Sequence, residues 1–167
     1  MIFVTVGTHE QQFNRLVKYI DKLKENETIE EDVIIQTGFS TYEPKHCKWS
    51  KLFPYSEMEK NIADARVVIT HGGPSSFIMP LQVGKKPIVV PRKYEFKEHV
   101  NNHQVDFSKA VAERMGTIIV VEEIEKLGDT LLHYDEIVAN MPSGLKSNNA
   151  KFNMVFEKIV KNLIGIK

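Results

Sequence analysis

Val67-Val68-Ile69-Thr70-His71-Gly72-Gly73-Pro74-Ser75-Ser76-Phe77-Ile78 is the stretch that decides the fold. A β-branched run ends at Thr70, a loop with two glycines follows, and two serines open a segment of helical character. Strand, glycine turn and helix N-terminus in this order form an anion-binding geometry. The first N–H groups of a helix lack internal partners, and the macrodipole places partial positive charge there. Glycine lets the backbone approach a ligand closely. Ser75 and Ser76 add hydroxyl donors, and His71 adds an imidazole beside the same turn. A phosphate or diphosphate site fits this stretch, and so does a plain βα turn with Ser75 as N-cap. The pattern is neither GxGxxG nor GxxxxGK[ST], which argues against the common dinucleotide and P-loop readings.

Outward from this centre, short apolar runs alternate with amphipathic stretches. Ile2 to Val6 and Val33 to Gln36 read as strands covered on both faces, and Ile88 to Val90 and Thr117 to Val121 repeat the pattern downstream. A further short strand is expected near Cys47 to Trp49, within an irregular segment from Ser40 to Pro54. Phe13, Leu16, Val17, Ile20 and Leu23 recur at helical spacing, predicting a helix over roughly residues 12 to 25. Ser56-Glu57-Met58-Glu59 has the form of a capping box, predicting a helix from Glu57 to about Ala65. The helix after the glycine turn should stop at Gly84. Others are expected from about Glu98 to Met115, from Leu127 to Ala139, and from a Ser147 cap to the chain end.

Strands alternating with helices imply a parallel sheet joined by right-handed crossovers, with helices on both faces. In such a sheet the ligand lies beyond the carboxyl ends of the strands. That rule selects the loops Gly7 to Gln11, Gln36 to Phe39, His71 to Ser76 and Pro91 to Gln104, all rich in glycine or polar side chains.

Composition narrows the partners. The chain has 167 residues, which suits one domain over 1–167. Acidic and basic residues balance at 22 each, so no global field favours nucleic acid or an anionic membrane. The single Cys47 excludes an internal disulfide and a cysteine-rich zinc site, and fits a reducing cytosol. No apolar run approaches the ~20 residues that span a bilayer. The N-terminal run reads as a strand rather than a signal peptide.

Several polar clusters fall in the selected loops. His9, His71 and His99 lie there and His103 follows one turn after His99, but no HExxH or acidic ligand pair accompanies them. No metal is therefore expected. A GxSxG nucleophile elbow is absent too. Glu98-His99-Val100-Asn101-Asn102-His103-Gln104 carries six polar residues around one valine, a density of carboxylate and amide that suits sugar hydroxyls. A solvated helix start explains the same segment, and its place in the cleft favours the functional reading. Arg92 and Lys93 follow the fifth strand within reach of a diphosphate, although a solvated loop explains them as well. Phe53-Pro54-Tyr55 offers an aromatic wall for a base, or a core contact for Phe53.

The segments FVTVGTHEQQFNRLV, ITHGGPSSF and KKPIVVPRKYEFKEHVNNHQVDFSKAVAERMG resemble glycosyltransferase family 28 C-terminal domains, from Ile2 to about Val121. The likeness is strongest to short bacterial capsule and exopolysaccharide subunits, the nucleotide-sugar half of a two-part GT-B enzyme. The resemblance implies an inverting transferase that moves a hexose, galactose among the options, from a UDP-sugar to an undecaprenyl-diphosphate-linked saccharide. It implies a membrane-anchored partner subunit that carries the lipid acceptor site, and hence a cytoplasmic chain held at the inner face of the plasma membrane. It requires no cofactor or metal, because the helix dipole and side chains stabilise the leaving UDP.

By the same resemblance His71, Gly72, Gly73, Ser75 and Ser76 would hold the diphosphate, and Gly7, Thr8 and His9 would form the loop beneath it. Glu98, Asn102, His103 and Gln104 would face the sugar and diphosphate, and Phe53 would lie near uracil. By its own position at the end of the first strand, His9 reads as a general base, as a group that orients the diphosphate, or as a structural histidine held by hydrogen bonds. Many relatives carry a glutamate for the ribose hydroxyls where this chain has Met79. The alternatives are a regulatory or scaffold subunit that binds a nucleotide sugar without turnover, and a sugar-nucleotide epimerase, which needs a second domain in the same chain. The apolar positions Phe152, Val155, Phe156, Ile159, Val160 and Leu163 of the last helix are expected to meet either a partner or the domain's own sheet.

Overall fold

The computed structural model describes residues 1–142 and 149–164. The expected Ser147 cap lies outside the described residues. The elements in chain order are β1 (Ile2–Thr5), α1 (Asn14–Glu25), β2 (Val33–Gln36), β3 (Lys48–Ser50), α2 (Tyr55–Asp64), β4 (Val67–His71) and α3 (Pro74–Gln82). They continue with β5 (Ile88–Val90), α4 (His103–Met115), β6 (Ile119–Val120), α5 (Leu127–Leu132), α6 (Tyr134–Ala139) and α7 (Asn149–Ile164).

All strand pairs are parallel, in the order β3-β2-β1-β4-β5-β6. This is a Rossmann-like sheet, the architecture expected for the donor-binding half of a GT-B fold. Its side chains alternate between faces as a pleated strand requires. Ile2, Val4, Val33, Ile35, Val67, Ile69, Ile88 and Val90 pack on one face with Leu16, Val17 and Ile20 of α1 and Leu127, Leu131 and Tyr134 of α5 and α6. Phe3 and Val68 point the other way onto Ile62 of α2, and Val89 onto Phe77 of α3 and Phe107 of α4. Both faces are therefore dry, which explains why the strands read as continuous apolar runs rather than alternating ones.

Local chemistry changes four of the expected helices. The capping box at Ser56 does not form. Helix α2 starts at Tyr55 with Pro54 as N-cap, whose carbonyl accepts the Glu57 and Met58 N–H groups. The helix expected from Glu98 begins only at His103, because the asparagines before it bind backbone instead. Asn102 Oδ1 accepts the Tyr94 N–H at 2.8 Å and Asn101 Oδ1 the His103 N–H at 3.1 Å. The helix expected over Leu127 to Ala139 is broken at His133 into α5 and α6. Helix α3 takes Gly73 as its N-cap and Pro74 as its first residue, so Ser75 stands inside the helix rather than capping it.

Candidate functional site

The strand order reverses direction between β1 and β4, and a crevice opens there at the carboxyl ends. A cleft of about 490 Å³ occupies it, lined by Thr5, Gly7, Thr8, His9, Gln36, Leu52, Phe53, Tyr55, Met58, His71, Ser75, Ser76 and Met79. One end is apolar. Phe53 packs on Phe3 with ring centroids 6.1 Å apart, so it is a core contact and a cleft wall at once. The other end carries hydroxyls and imidazoles.

His71 governs that polar end. Its ring is buried between the backbones of Gly7 and Gly73, where a Cβ at either position would overlap the imidazole. Gly7 also has φ +75°, a conformation that L side chains rarely adopt. The Gly73 N–H donates to His71 Nδ1 at 3.0 Å. A neutral imidazole with an acceptor at Nδ1 carries its proton on Nε2. Nε2–H therefore donates to Ser76 Oγ, 2.9 Å away. With its oxygen accepting from His71, the Ser76 hydroxyl has its proton left for the cleft. Burial, then the charge of Arg92, hold the His71 pKa down to about 4, so the neutral form persists at neutral pH.

The glycine turn itself is spoken for. The Gly72 N–H donates to Gln104 Oε1 at 3.1 Å, the Gly73 N–H to His71, and the Ser76 N–H to the Gly73 carbonyl at 3.0 Å. Gly72 and Gly73, expected as diphosphate ligands, thus shape the turn and are not among the residues that line the cleft. Ser75, Ser76, Gly7, Thr8, His9 and Phe53 do line it.

The polar segment after β5 also differs from expectation. Glu98 is fully buried, and its carboxylate accepts from Arg15 Nε and Nη2, both at 2.9 Å, and from the Lys93 N–H at 3.0 Å. It faces no cleft. Gln104 Oε1 accepts from both Gly72 and Arg92 N–H groups and so ties the end of β4 to the end of β5. Asn102 braces the Tyr94 backbone, and exposed His103 stacks on Phe107. None of the four lines the cleft. The density of polar groups that suggested sugar binding is largely the interior bracing of two loops.

Arg92 is fully buried and does not reach the cleft. Its Nη1 donates to the carbonyls of Gln11, Gln12 and Glu98, and its Nη2 to that of Val6. Because Glu98 is already paired with Arg15, Arg92 leaves one cation in excess below the strand ends. Burial lowers its pKa to about 10, so it stays charged. This positive potential favours an anion in the cleft above it. It also lowers the pKa of His9, after desolvation and ahead of His99.

His9 Nδ1 accepts the Gln11 N–H at 3.2 Å, so neutral His9 offers an Nε2–H donor. That geometry fits a group that orients or stabilises a diphosphate better than one that removes a proton. Gln36, which opens one of the selected loops, lines the cleft, and Thr5, Leu52 and Met58, which the sequence reading did not single out, line it too. The polar residue ending each apolar strand, Thr5 and Gln36, was the available signal. Arg15 left none, being one cation on an amphipathic helix. Among the described residues no group of three or more His, Cys, Asp or Glu is placed to hold a metal ion.

The architecture is shared with solved glycosyltransferases. It is similar in fold to the glycotransferase of kitacinnamycin, with a TM-score of 0.59, 14% identity, and coverage of 79% of this chain and 34% of that one. It is similar to the glycosyltransferase SnogD from Streptomyces nogalater, with a TM-score of 0.51, 16% identity, and coverage of 84% and 40%. It is similar to Acinetobacter baumannii MurG, with a TM-score of 0.51, 16% identity, and coverage of 79% and 40%. The chain thus spans two-fifths or less of the length of these structures. No curated protein matches it. The model of the glycosyltransferase family 28 C-terminal domain matches residues 1–163, and the chain belongs to that family.

Proposed function

We propose that this chain is the donor-binding half of an inverting glycosyltransferase, transferring a hexose from a UDP-sugar to an undecaprenyl-diphosphate-linked saccharide. The observation that carries this reading is the polarity of the switch-point cleft. An apolar wall of Leu52, Phe53, Met58 and Met79 suits a nucleoside. The opposite end, with Ser75, Ser76, Thr8 and His9 above buried Arg92, suits a diphosphate.

In the reaction the acceptor oxygen attacks the anomeric carbon, the bond to the diphosphate oxygen breaks, and negative charge grows on the departing UDP. The Ser76 hydroxyl, His9 Nε2–H and the N-terminus of α3 stand at the polar end to stabilise that charge. The reading gives this work to side chains and helix dipole, without a metal. With His9 Nδ1 engaged by Gln11, the acceptor proton goes to a base brought in with the acceptor.

A membrane-anchored partner would bring acceptor and base, and would hold this chain at the inner face of the membrane. Among the described residues no helix is long and apolar enough to cross a bilayer. Exposed Met154, Val155 and Ile159 of α7 favour contact with a second chain over the alternative that α7 covers the domain's own sheet. The side chains of Phe152 and Leu163 lie outside the described residues. The test is transfer of radiolabelled sugar from a UDP-sugar into lipid extract. Transfer is expected with the partner co-expressed and absent from the chain alone. Full transfer by the chain alone refutes the half-enzyme reading, and UDP binding without transfer in either case favours a scaffold subunit.

A further inference from the structure

One edge of the sheet combines a run of like charge with exposed apolar side chains. Between Glu43 and Glu57 the chain carries Lys45, Lys48 and Lys51 and no acidic residue, although acidic and basic residues balance over the whole length. Trp49, Leu52 and Tyr55 are interleaved with these lysines. The segment includes β3, the strand at the end of the sheet.

The fold gathers these groups into one surface. The Thr37 N–H donates to the Ser50 carbonyl at 3.0 Å and the Gly38 N–H to the Lys51 carbonyl at 2.9 Å, which lays the loop carrying Phe39 alongside the end of β3. Lys51 Nζ lies over the Phe39 ring, 4.8 Å from its centroid. Phe39 (40%), Trp49 (41%), Leu52 (47%) and Tyr55 (69%) are all exposed, and so are the three lysines. The start of the segment is braced as well. The buried Asp21 carboxylate accepts the Lys45 N–H at 2.9 Å and the His46 N–H at 2.8 Å. Lys48 approaches Asp32 only to 3.9 Å, with both side chains three-quarters exposed, so its charge is left to solvent.

Lysines on an edge strand keep it from pairing with another strand, and a second copy seated here would bring lysine against lysine. That protective role does not call for an exposed tryptophan among them. Indole and phenol rings settle at a lipid–water interface, and lysine stems lie along apolar surface while their ammonium groups meet phosphates.

We propose that this edge docks directly on an anionic phospholipid surface, with Phe39, Trp49, Leu52 and Tyr55 entering the interface and Lys45, Lys48 and Lys51 meeting the headgroups. It goes beyond the proposed function, in which a partner subunit brings the chain to the membrane, and does not depend on which nucleotide the cleft binds. Leu52 and Tyr55 also line the cleft, so docking holds the cleft mouth beside the bilayer.

Trp49 is the sole tryptophan of the chain, so its emission reports on this edge alone. The full-length chain is mixed with vesicles of phosphatidylglycerol and phosphatidylcholine in equal parts. Its emission should shift to the blue, acrylamide quenching should fall, and the chain should sediment with the vesicles. High salt should release it. Each lysine at an anionic surface is worth about fivefold in partitioning. Lys48→Gln should therefore weaken binding about fivefold, and the triple variant Lys45→Gln, Lys48→Gln, Lys51→Gln about a hundredfold. These side chains are exposed and none lines the cleft, so fold and UDP binding should hold in both variants. UDP titration is the separate readout of the proposed function. Equal binding to pure phosphatidylcholine, vesicle binding that the triple variant retains, or wild type that ignores both vesicles overturns the proposal. Lysine-dependent recruitment by a co-expressed membrane partner, without vesicle binding, makes the edge a protein-docking site and overturns it too.

Discussion

His71 Nε2 lies 2.9 Å from Ser76 Oγ, and His71 Nδ1 is held by the Gly73 N–H. The imidazole therefore positions a serine hydroxyl and is not itself spare for the ligand. If His71 acts on the ligand only through Ser76, the two side chains must be non-additive. Ser76→Ala should weaken UDP binding by about 1.5–3 kcal/mol, the worth of a hydrogen bond to a charged group. His71→Gln should weaken it as well, yet add little in the Ser76→Ala background. Calorimetry on the four proteins of the cycle decides this, and simple additivity would give His71 a contact of its own.

The same buried imidazole makes stability pH-dependent. Its folded pKa, about 4, is below the ordinary histidine value of 6.5. Between these values the unfolded chain binds a proton that the native chain does not, so stability rises with pH across the window. The contribution is complete above about pH 6.5 and is lost as pH falls toward 4, with an upper bound of about 3 kcal/mol. Urea titrations at several pH values should show this slope for wild type and a flatter one for His71→Gln. Equal slopes would mean that other groups carry the acid sensitivity.

Glu98 is predicted to matter for folding rather than sugar binding. Glu98→Gln leaves Arg15 and buried Arg92 without a neutralising charge, and removal of one partner from a buried pair costs about 3–5 kcal/mol. Thermal unfolding should show a large drop in Tm. An unchanged Tm together with weakened UDP-sugar binding would restore the sugar-contact role.

The fold was legible because its signal is periodicity. Apolar runs of four or five residues fixed β1, β2 and β4, and Phe13 to Leu23 fixed α1. The switch-point rule then named the Gly7, Gln36 and His71 loops, which line the cleft, but also Pro91 to Gln104, which does not, and it passed over the segment from Leu52 to Met58, which does. Within those loops composition misled, because the same residue types bind ligands and backbone. Gln104, Glu98 and Asn102 look like sugar ligands in one dimension, and only the fold shows that they bind Gly72, Arg15 and Tyr94. Helix starts failed likewise. Asparagine side chains competing with the helix delayed α4, and Pro54 overrode the capping box of α2.

Met79 lines the cleft against Phe53 and Met58, where a thioether forms no strong bond to ribose hydroxyls. Wild type should bind UDP and 2′-deoxy-UDP with similar affinity. Met79→Glu places an acceptor there and should favour UDP by about 1.5 kcal/mol or more. Competition between the two nucleotides measures this. A strong wild-type preference for UDP would show that another group reads the 2′-hydroxyl.

The most direct test of the central claim is calorimetric titration of UDP into the purified 167-residue chain. The account predicts saturable one-to-one binding that weakens at least about tenfold in Ser76→Ala, as loss of a charged hydrogen bond requires. No binding to wild type, or binding that Ser76→Ala leaves unchanged, would contradict it.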